Sequence, residues 1–219
     1  MVAPAALTAP AVRRHWAPGV ASATRAMSAD APCGDAAAWF DLSGGVAAAG
    51  TAPTQGLLAI VDGLGHGAEA ACAADAAVQV LAAAPDADLP ALMRRLDSAL
   101  RSLRGAAVGL VRVQGRRLQH AGVGNTRCMR LRDRHMTRLP SQNGIVGGGL
   151  PARLHESELD LAPGDWLLLF SDGLAESLQL PVLLPEWERD PGLLCEHLLQ
   201  QAAPGRDDAG VLVMRMGDG

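Results

Sequence analysis

Four aspartate-containing motifs, far apart in the chain, hold the residue types best able to do chemistry. They are Cys33-Gly34-Asp35, Val61-Asp62-Gly63, Phe170-Ser171-Asp172-Gly173 and Arg206-Asp207-Asp208. Each places an aspartate beside an apolar run, where a strand is expected to begin or end. Carboxylates gathered from distant parts of a chain commonly hold hard divalent cations such as Mg²⁺ or Mn²⁺. Two such ions about 3.5–4 Å apart activate a bridging water and orient a phosphate group.

Each motif taken alone also has a purely structural interpretation. Asp-Gly is a common turn pair, and a single occurrence usually indicates only a turn. Three of the four motifs place a glycine beside the aspartate, however, and all four lie next to apolar runs. Together they favour one shared carboxylate site over four unrelated turns.

The glycine-rich segment after the second motif has two further interpretations. Gly63, Gly65 and Gly67 precede a predicted helix and could form a phosphate-binding loop. Their spacing differs from the dinucleotide-binding pattern, whose third glycine lies three residues after the second. Asp62 would also repel a phosphate unless a metal ion lay between them. His66 could act as a general acid or contact a phosphate, although a histidine at a helix start is often a cap or a surface group.

The composition excludes several classes of function. The 219 residues have a formal net charge of −4, which argues against a nucleic-acid-binding protein. The sequence contains no lysine, so a Walker A loop, a kinase ATP lysine and a Schiff-base lysine are impossible. The four cysteines are far apart and lack zinc-site spacing, so we expect reduced thiols.

Hydropathy favours a cytoplasmic protein. No apolar run approaches the ~20 residues that a membrane-spanning helix needs. The arginines near the N-terminus follow the apolar part, whereas a signal peptide has the opposite order. We therefore expect neither a membrane nor a nucleic acid as a partner.

The pattern of apolar residues predicts an α+β domain. The continuous apolar run at 56–61 is typical of a strand buried on both faces. An Ala-rich helix is predicted at 68–84, ending at Pro85, and a second at 89–103 with apolar residues at helical spacing. Further strands are predicted at 20–27, 36–42, 106–113, 117–123, 126–131, 154–161, 166–170 and 211–216, and further helices after Asp172 and at 191–201. This order indicates helices covering antiparallel sheets, in one domain at 12–216 after a loose tail at 1–11.

Arginines crowd the predicted central strands. They are Arg112, Arg116, Arg117, Arg127, Arg130, Arg132, Arg134 and Arg138. They form either a solvated sheet face or a docking surface for an acidic or phosphorylated partner.

The four motifs resemble those of a known enzyme family. The segment from Val61 to Gly67 resembles the glycine-rich aspartate motif of the metal-dependent (PPM, type 2C) Ser/Thr protein phosphatases. The motifs around Asp172, Asp207 and Asp35 are similar to the other metal motifs of that family. Among its branches the chain is most similar to the bacterial SpoIIE-type phosphatases, and within these to the RsbX type that resets stressosome proteins. The similarity covers about residues 12–216.

The resemblance implies a fold and a metal site. The fold would be a four-layer αββα sandwich, with two antiparallel sheets flanked by helix pairs. Asp62 would bridge two Mn²⁺ or Mg²⁺ ions and the Gly63 carbonyl would bind the second ion. Asp172 and Asp207 would hold the first ion, while Asp35 would reach the second. The last motif departs from the family pattern by lacking a hydroxyl residue at its end, which leaves Asp207 and Asp208 as alternative ligands.

The resemblance also implies a reaction. Asp62, Asp172 and Asp207 would serve catalysis by attack of the bridging water on phosphoserine or phosphothreonine, without a phosphoenzyme. The expected substrate is a phosphorylated STAS-domain protein, of the RsbS or RsbR type or an anti-sigma-factor antagonist. A rival interpretation is a catalytically silent phosphatase-like module that binds a signalling partner. A nucleotide-binding α/β protein is disfavoured by the glycine spacing and the missing lysine.

Overall fold

The computed structural model describes residues 12–44, 54–174, 178, 183–201 and 206–217. Two antiparallel sheets account for the strands of these residues. The strands are β1 (Val12–Ala17), β2 (Val20–Arg25), β3 (Asp35–Asp41), β4 (Gln55–Gly63), β5 (Ala106–Gln114), β6 (Arg117–Val123), β7 (Arg127–Arg132), β8 (His135–Leu139), β9 (Glu156–Asp160), β10 (Trp166–Phe170) and β11 (Ala209–Arg215). One sheet has the order β1-β2-β11-β10-β7-β8 and the other β3-β4-β5-β6-β9.

Two pairs of helices cover the outer faces of these sheets. They are α1 (Ala68–Ala83), α2 (Leu89–Leu100), α3 (Pro185–Arg189) and α4 (Pro191–Gln201). The first pair packs on the five-stranded sheet and the second pair on the six-stranded sheet. A third apolar core lies between the sheets. The predicted four-layer αββα sandwich is therefore confirmed.

Local sequence explains why β4 and the first helix pair lie where they do. The segment 56–61 is fully apolar and pairs with β3 on one side and β5 on the other, so it is buried as predicted. The side chain of Asp88 begins α2, accepting a hydrogen bond from Ala91 N at 2.6 Å. Small residues on α1 let it lie close to the sheet, where Ala70, Ala73 and Ala77 are buried.

The structure differs from the predicted elements in several places. β1 and β8 were not predicted from the sequence. The first four residues of β8 are exposed, so it has no apolar pattern and forms because β7 offers a hydrogen-bonding edge. The second helix ends at Leu100, three residues earlier than predicted. A turn follows β10 at 172–173, and the short helix predicted after Asp172, like the predicted tail at 1–11, falls outside or largely outside the described residues.

No helix within the described ranges is both long enough and apolar enough to cross a membrane.

Candidate metal centre

Two of the predicted ligands face each other across neighbouring strands. Asp35 is the first residue of β3, and in the antiparallel register it lies opposite Asp62 near the end of β4. Asp35 is only 6% exposed, whereas Asp62 is partly exposed. The ladder that buries the apolar run of β4 therefore also brings these two distant motifs together.

The other two motifs meet at the edge of the six-stranded sheet. β10 and β11 are antiparallel neighbours in which Phe170 lies opposite Val211. Asp172 follows β10 and Asp207 precedes β11, so the chain delivers both aspartates at the same end of this strand pair. Asp62, Asp172 and Asp207 line one cavity of about 660 Å³. Three of the four predicted motifs thus contribute a carboxylate to a single cavity.

The negative charges of these carboxylates repel one another when the groups are ionised. Burial, followed by the charges of Asp172 and Asp207, raises the pKa of Asp62 to about 7. Burial and the charge of Asp62 raise the pKa of Asp35 well above its usual range, although a hydrogen bond from Ser171 acts in the opposite direction. Burial also raises the pKa of Asp207, with a contribution from Asp172. Either bound protons or bound cations reduce the electrostatic repulsion within such a cluster.

Asp208 has a different environment from its neighbour Asp207. It is 3% exposed, and its two carboxylate oxygens accept hydrogen bonds from Met27 N at 2.6 Å and Gly34 N at 2.7 Å. Asp208 therefore ties the loop between β2 and β3 to the start of β11. Asp207 lines the cavity instead. The two alternatives that the sequence left open are thus physically distinct.

Glycine is required beside two of the aspartates. A Cβ atom on Gly63 would lie 2.3 Å from the carbonyl oxygen of Ala70 in α1. A Cβ atom on Gly173 would lie 2.0 Å from the carbonyl oxygen of Asp208. Any larger residue would push these segments apart, so the glycines bring the ends of the motifs into close packing.

Several residues at the site were not singled out by the sequence analysis. Asn125 Nδ2 donates a hydrogen bond to Asp172 Oδ2 at 2.5 Å, and Ser171 Oγ donates to Asp35 Oδ2 at 2.5 Å. Gly210 N in turn donates to Ser171 Oγ at 2.8 Å. The sequence marked Asn125 only as part of a turn, since nothing local indicates that this turn reaches the carboxylates.

The surroundings of two other motif residues, His66 and Cys33, are also defined. His66 is exposed and close enough to Asp207 to lower the pKa of that carboxyl slightly through its charge. Burial and the charge of Asp35 raise the pKa of the Cys33 thiol to about 12, so it stays protonated at neutral pH and is not a nucleophile.

The arginines of the central strands do not share one role. Arg132 makes a salt bridge with the buried Asp165 at 2.6 Å, and Arg112 donates to Ala87 O at 2.5 Å, so both stabilise the fold. Arg127 and Arg138 line the cavity that holds the three aspartates. Neither interpretation made from the sequence therefore fits the whole set.

The donor set at the cavity fits a hard divalent cation. Its candidate ligands are carboxylate oxygens, which Mg²⁺ and Mn²⁺ prefer. Among the described residues, no three His, Cys, Asp or Glu side chains are arranged as a ready-made ion cage. Asp62 and Asp172 instead share a hydrogen bond that raises the pKa of Asp62. A pair of carboxyl groups sharing a proton is the form expected for a cluster of this kind when protons balance its charge.

Known structures share this fold and define its class. A protein from work on the bacterial stressosome, described as a modular system adapted to control secondary messenger signalling, is 29% identical with a TM-score of 0.74. It is matched over 90% of this chain and 98% of its own. RsbX in complex with magnesium is 15% identical with a TM-score of 0.72, over 95% and 100% of the two chains. The serine/threonine phosphatase PstP of Mycobacterium tuberculosis is 21% identical with a TM-score of 0.61, over 84% and 98%. The fold is that of the PPM (type 2C) phosphatases.

Family membership is more specific than the fold. The family model for stage II sporulation protein E (SpoIIE) matches residues 53–217, which is most of the chain. The protein therefore belongs to the SpoIIE family, and by class it is a phosphoprotein phosphatase of the hydrolase type. No curated protein matches the chain in a sequence search.

Proposed function

We propose that this protein uses two Mn²⁺ or Mg²⁺ ions to hydrolyse phosphoserine or phosphothreonine on a regulatory protein. The observation that carries the proposal is the convergence of Asp62, Asp172 and Asp207 on one cavity. The charges of Asp172 and Asp207 raise the pKa of Asp62, so the three carboxylates are costly to ionise together, and a divalent cation removes that cost. Residues 12–216 would act as one phosphatase domain.

The chain's own residues would have distinct roles at this centre. Asp62 would hold both ions, with the Gly63 carbonyl on the second, while Asp172 and Asp207 would hold the first. Asp35 would support the second ion, and its orientation is fixed by Ser171. When bound, the pair of ions supplies a water of lowered pKa and neutralises charge on the phosphate oxygens.

Asp207 is favoured over Asp208 as the ligand in the last motif. Both oxygens of Asp208 already accept backbone hydrogen bonds. If Asp208 bound an ion, it would lose the hydrogen bonds that hold the β2–β3 loop. One oxygen of Asp207 accepts a bond from the next backbone N–H, at 2.9 Å, which orients its carboxylate without using both oxygens.

The proposed substrate is a phosphorylated STAS-domain protein of the RsbS or RsbR type, or an anti-sigma-factor antagonist, in the cytoplasm. The support is that two similar structures are RsbX and a protein from work on the stressosome. The phosphorylated forms of several such proteins, offered separately, would identify the preferred one.

The test is hydrolysis of a phosphorylated STAS-domain protein with and without Mn²⁺. Asp62→Ala should lower the Mn²⁺-dependent rate by about 10²- to 10³-fold, the scale lost when one source of transition-state charge stabilisation is removed. Asp30→Ala is a matched control, since Asp30 is an exposed aspartate in a loop outside the cavity. Equal activity of Asp62→Ala and the wild type would refute the proposal. A wild-type protein that binds the substrate without hydrolysing it would support the silent binding module instead.

A further inference from the structure

We propose that Arg127 and Arg138 make this phosphatase selective for phosphoproteins with acidic residues beside the phosphorylated residue. The inference rests on the proposed function, because it names the substrate class of the same site. Its starting point is that one cavity is lined both by three aspartates and by these two arginines.

The sheet register places the two arginines side by side. Arg138 on β8 lies opposite Met129 on β7, and Arg127 lies two residues before Met129 on the same strand. The two arginines are thus diagonal neighbours on one face of the strand pair, a spacing that long side chains bridge. The pairing of the two strands therefore fixes the backbone positions of this pair of cationic residues.

The pair is joined to the carboxylate group by a short chain of contacts. Arg127 Nη1 donates to Asn125 O at 2.7 Å, and Asn125 Nδ2 donates to Asp172 Oδ2 at 2.5 Å. Arg127 therefore lies next to the candidate metal centre. Arg138 is exposed on an edge strand, so it lies on the solvent side of the cavity, where a protein substrate would enter.

The size of the cavity argues that these arginines meet more than the phosphate. A volume of about 660 Å³ is in the range that holds a whole drug-sized molecule. A phosphate placed at Asp62, Asp172 and Asp207 would leave much of this space for the neighbouring substrate residues. Carboxylates in those residues would pair with the guanidinium groups of the two arginines. A guanidinium group can donate two parallel hydrogen bonds to a carboxylate.

Charge distribution supports an acidic partner. The protein as a whole has a net charge of −4, yet the hairpin at 127–138 carries five arginines and one acidic residue, Asp133. A buried arginine elsewhere, Arg25, donates to Leu199 O at 2.7 Å and is not among the residues that line the cavity. Among the described residues that line the cavity, Arg127 and Arg138 are the arginines, so recognition of acidic groups there falls to them.

The experiment compares two phosphoserine peptides that differ only in flanking residues, Glu in one and Gln in the other. The measured quantity is the ratio of their kcat/KM values with Mn²⁺. The wild type should prefer the Glu peptide, and Arg138→Ala should reduce that preference by about five- to tenfold, as expected for a partly desolvated charge pair. Arg134→Ala is the matched control, because Arg134 lies in the exposed turn of the same hairpin and not at the cavity.

A charge reversal gives a second test. Arg138→Glu should shift the preference towards a peptide with Lys in the flanking positions. A wild type that does not distinguish the Glu and Gln peptides would overturn the inference. So would an Arg138→Ala variant that slows both equally, because that result would mean Arg138 serves the phosphate itself.

Direct binding separates this inference from the proposed function. Fluorescence anisotropy with the labelled peptides measures affinity whether or not turnover occurs. If the wild type hydrolyses neither these peptides nor a phosphorylated STAS-domain protein, the proposed function fails. The selectivity would still stand if the Glu peptide binds more tightly and Arg138→Ala removes the difference, and it falls if Arg138→Ala leaves that difference intact.

Discussion

The protein buries polar groups in two regions that differ in charge. At one end of the five-stranded sheet, Asp35 on β3 and Asp62 on β4 lie opposite each other, and burial raises the pKa of both. In the region of the inter-sheet core, His120 is 1% exposed, and neither ring nitrogen has a hydrogen-bond partner within the described residues. Burial, with the charge of His155, lowers the pKa of His120 to about 4.

The comparison shows why only one of these regions is a candidate site. When ionised, the carboxylates repel one another, so Asp62, Asp172 and Asp207 gain from any cation that enters the cavity they line. His120 is neutral at physiological pH and closed off from solvent, so no ligand is needed to balance it. In this protein, therefore, the buried polar groups that indicate a ligand site are those that carry charge of one sign and face a space that an ion can reach.

The largest expected effect of this difference is on stability without divalent cations. The folded pKa of Asp62, about 7, lies above its ordinary value of 3.8, so the folded state holds a proton that the unfolded state has lost. The contribution of Asp62 to stability should therefore fall as pH rises between these values, by on the order of 4 kcal/mol. Urea unfolding with a chelator at low and neutral pH measures it. The difference in unfolding free energy between the wild type and Asp62→Asn should carry this pH dependence, and a difference that does not change with pH would contradict the account.

His120 should have the opposite sign. Its folded pKa of about 4 lies below the ordinary value of 6.5, so the unfolded state takes up a proton first as pH falls. The contribution of His120 to stability should drop as pH decreases through this window, by on the order of 3 kcal/mol. The difference in unfolding free energy between the wild type and His120→Leu should change with pH in this way, whereas the difference for His135→Leu, at an exposed position, should not. An unchanged acid sensitivity in His120→Leu would mean that other groups cause it.

The adjacent residues Asp207 and Asp208 should separate function from stability. Asp208→Ala leaves Met27 N and Gly34 N without an acceptor and should cost about 2–3 kcal/mol of unfolding free energy. Asp207→Ala removes a repulsive charge and should leave stability nearly unchanged while weakening Mn²⁺ binding. Chemical unfolding and metal titration of both variants measure the two effects. A reversed result would make Asp208 the ligand.

The smallest expected effect concerns the hydrogen bond that orients Asp172. Asn125→Ala removes the donor to Asp172 Oδ2 and should weaken Mn²⁺ affinity by about tenfold, as observed when a partner of a metal ligand is lost. Asn143→Ala, at an exposed residue that lines the same cavity, is the control. Equal Mn²⁺ affinity of Asn125→Ala and the wild type would show that this bond does not support the site.

Part of the fold and part of the candidate site could be predicted from the sequence, for physical reasons. The apolar run before Asp62 has strand length and predicted a strand buried on both faces. The helix at 68–84 followed from its alanine content and Pro85, and the helix at 89–103 from its apolar spacing. β8 was missed because its exposed residues have no pattern, and it exists only through pairing with β7. The roles of Asp207 and Asp208 could not be separated, because the backbone groups that bind Asp208 come from a loop more than 170 residues away.

Calorimetric titration of the protein with Mn²⁺ at neutral pH tests the central claim most directly. The account predicts that the wild type binds two ions and that Asp62→Ala loses this binding, while Asp30→Ala keeps it. Absence of binding to the wild type at millimolar Mn²⁺, or equal binding by Asp62→Ala, would contradict it.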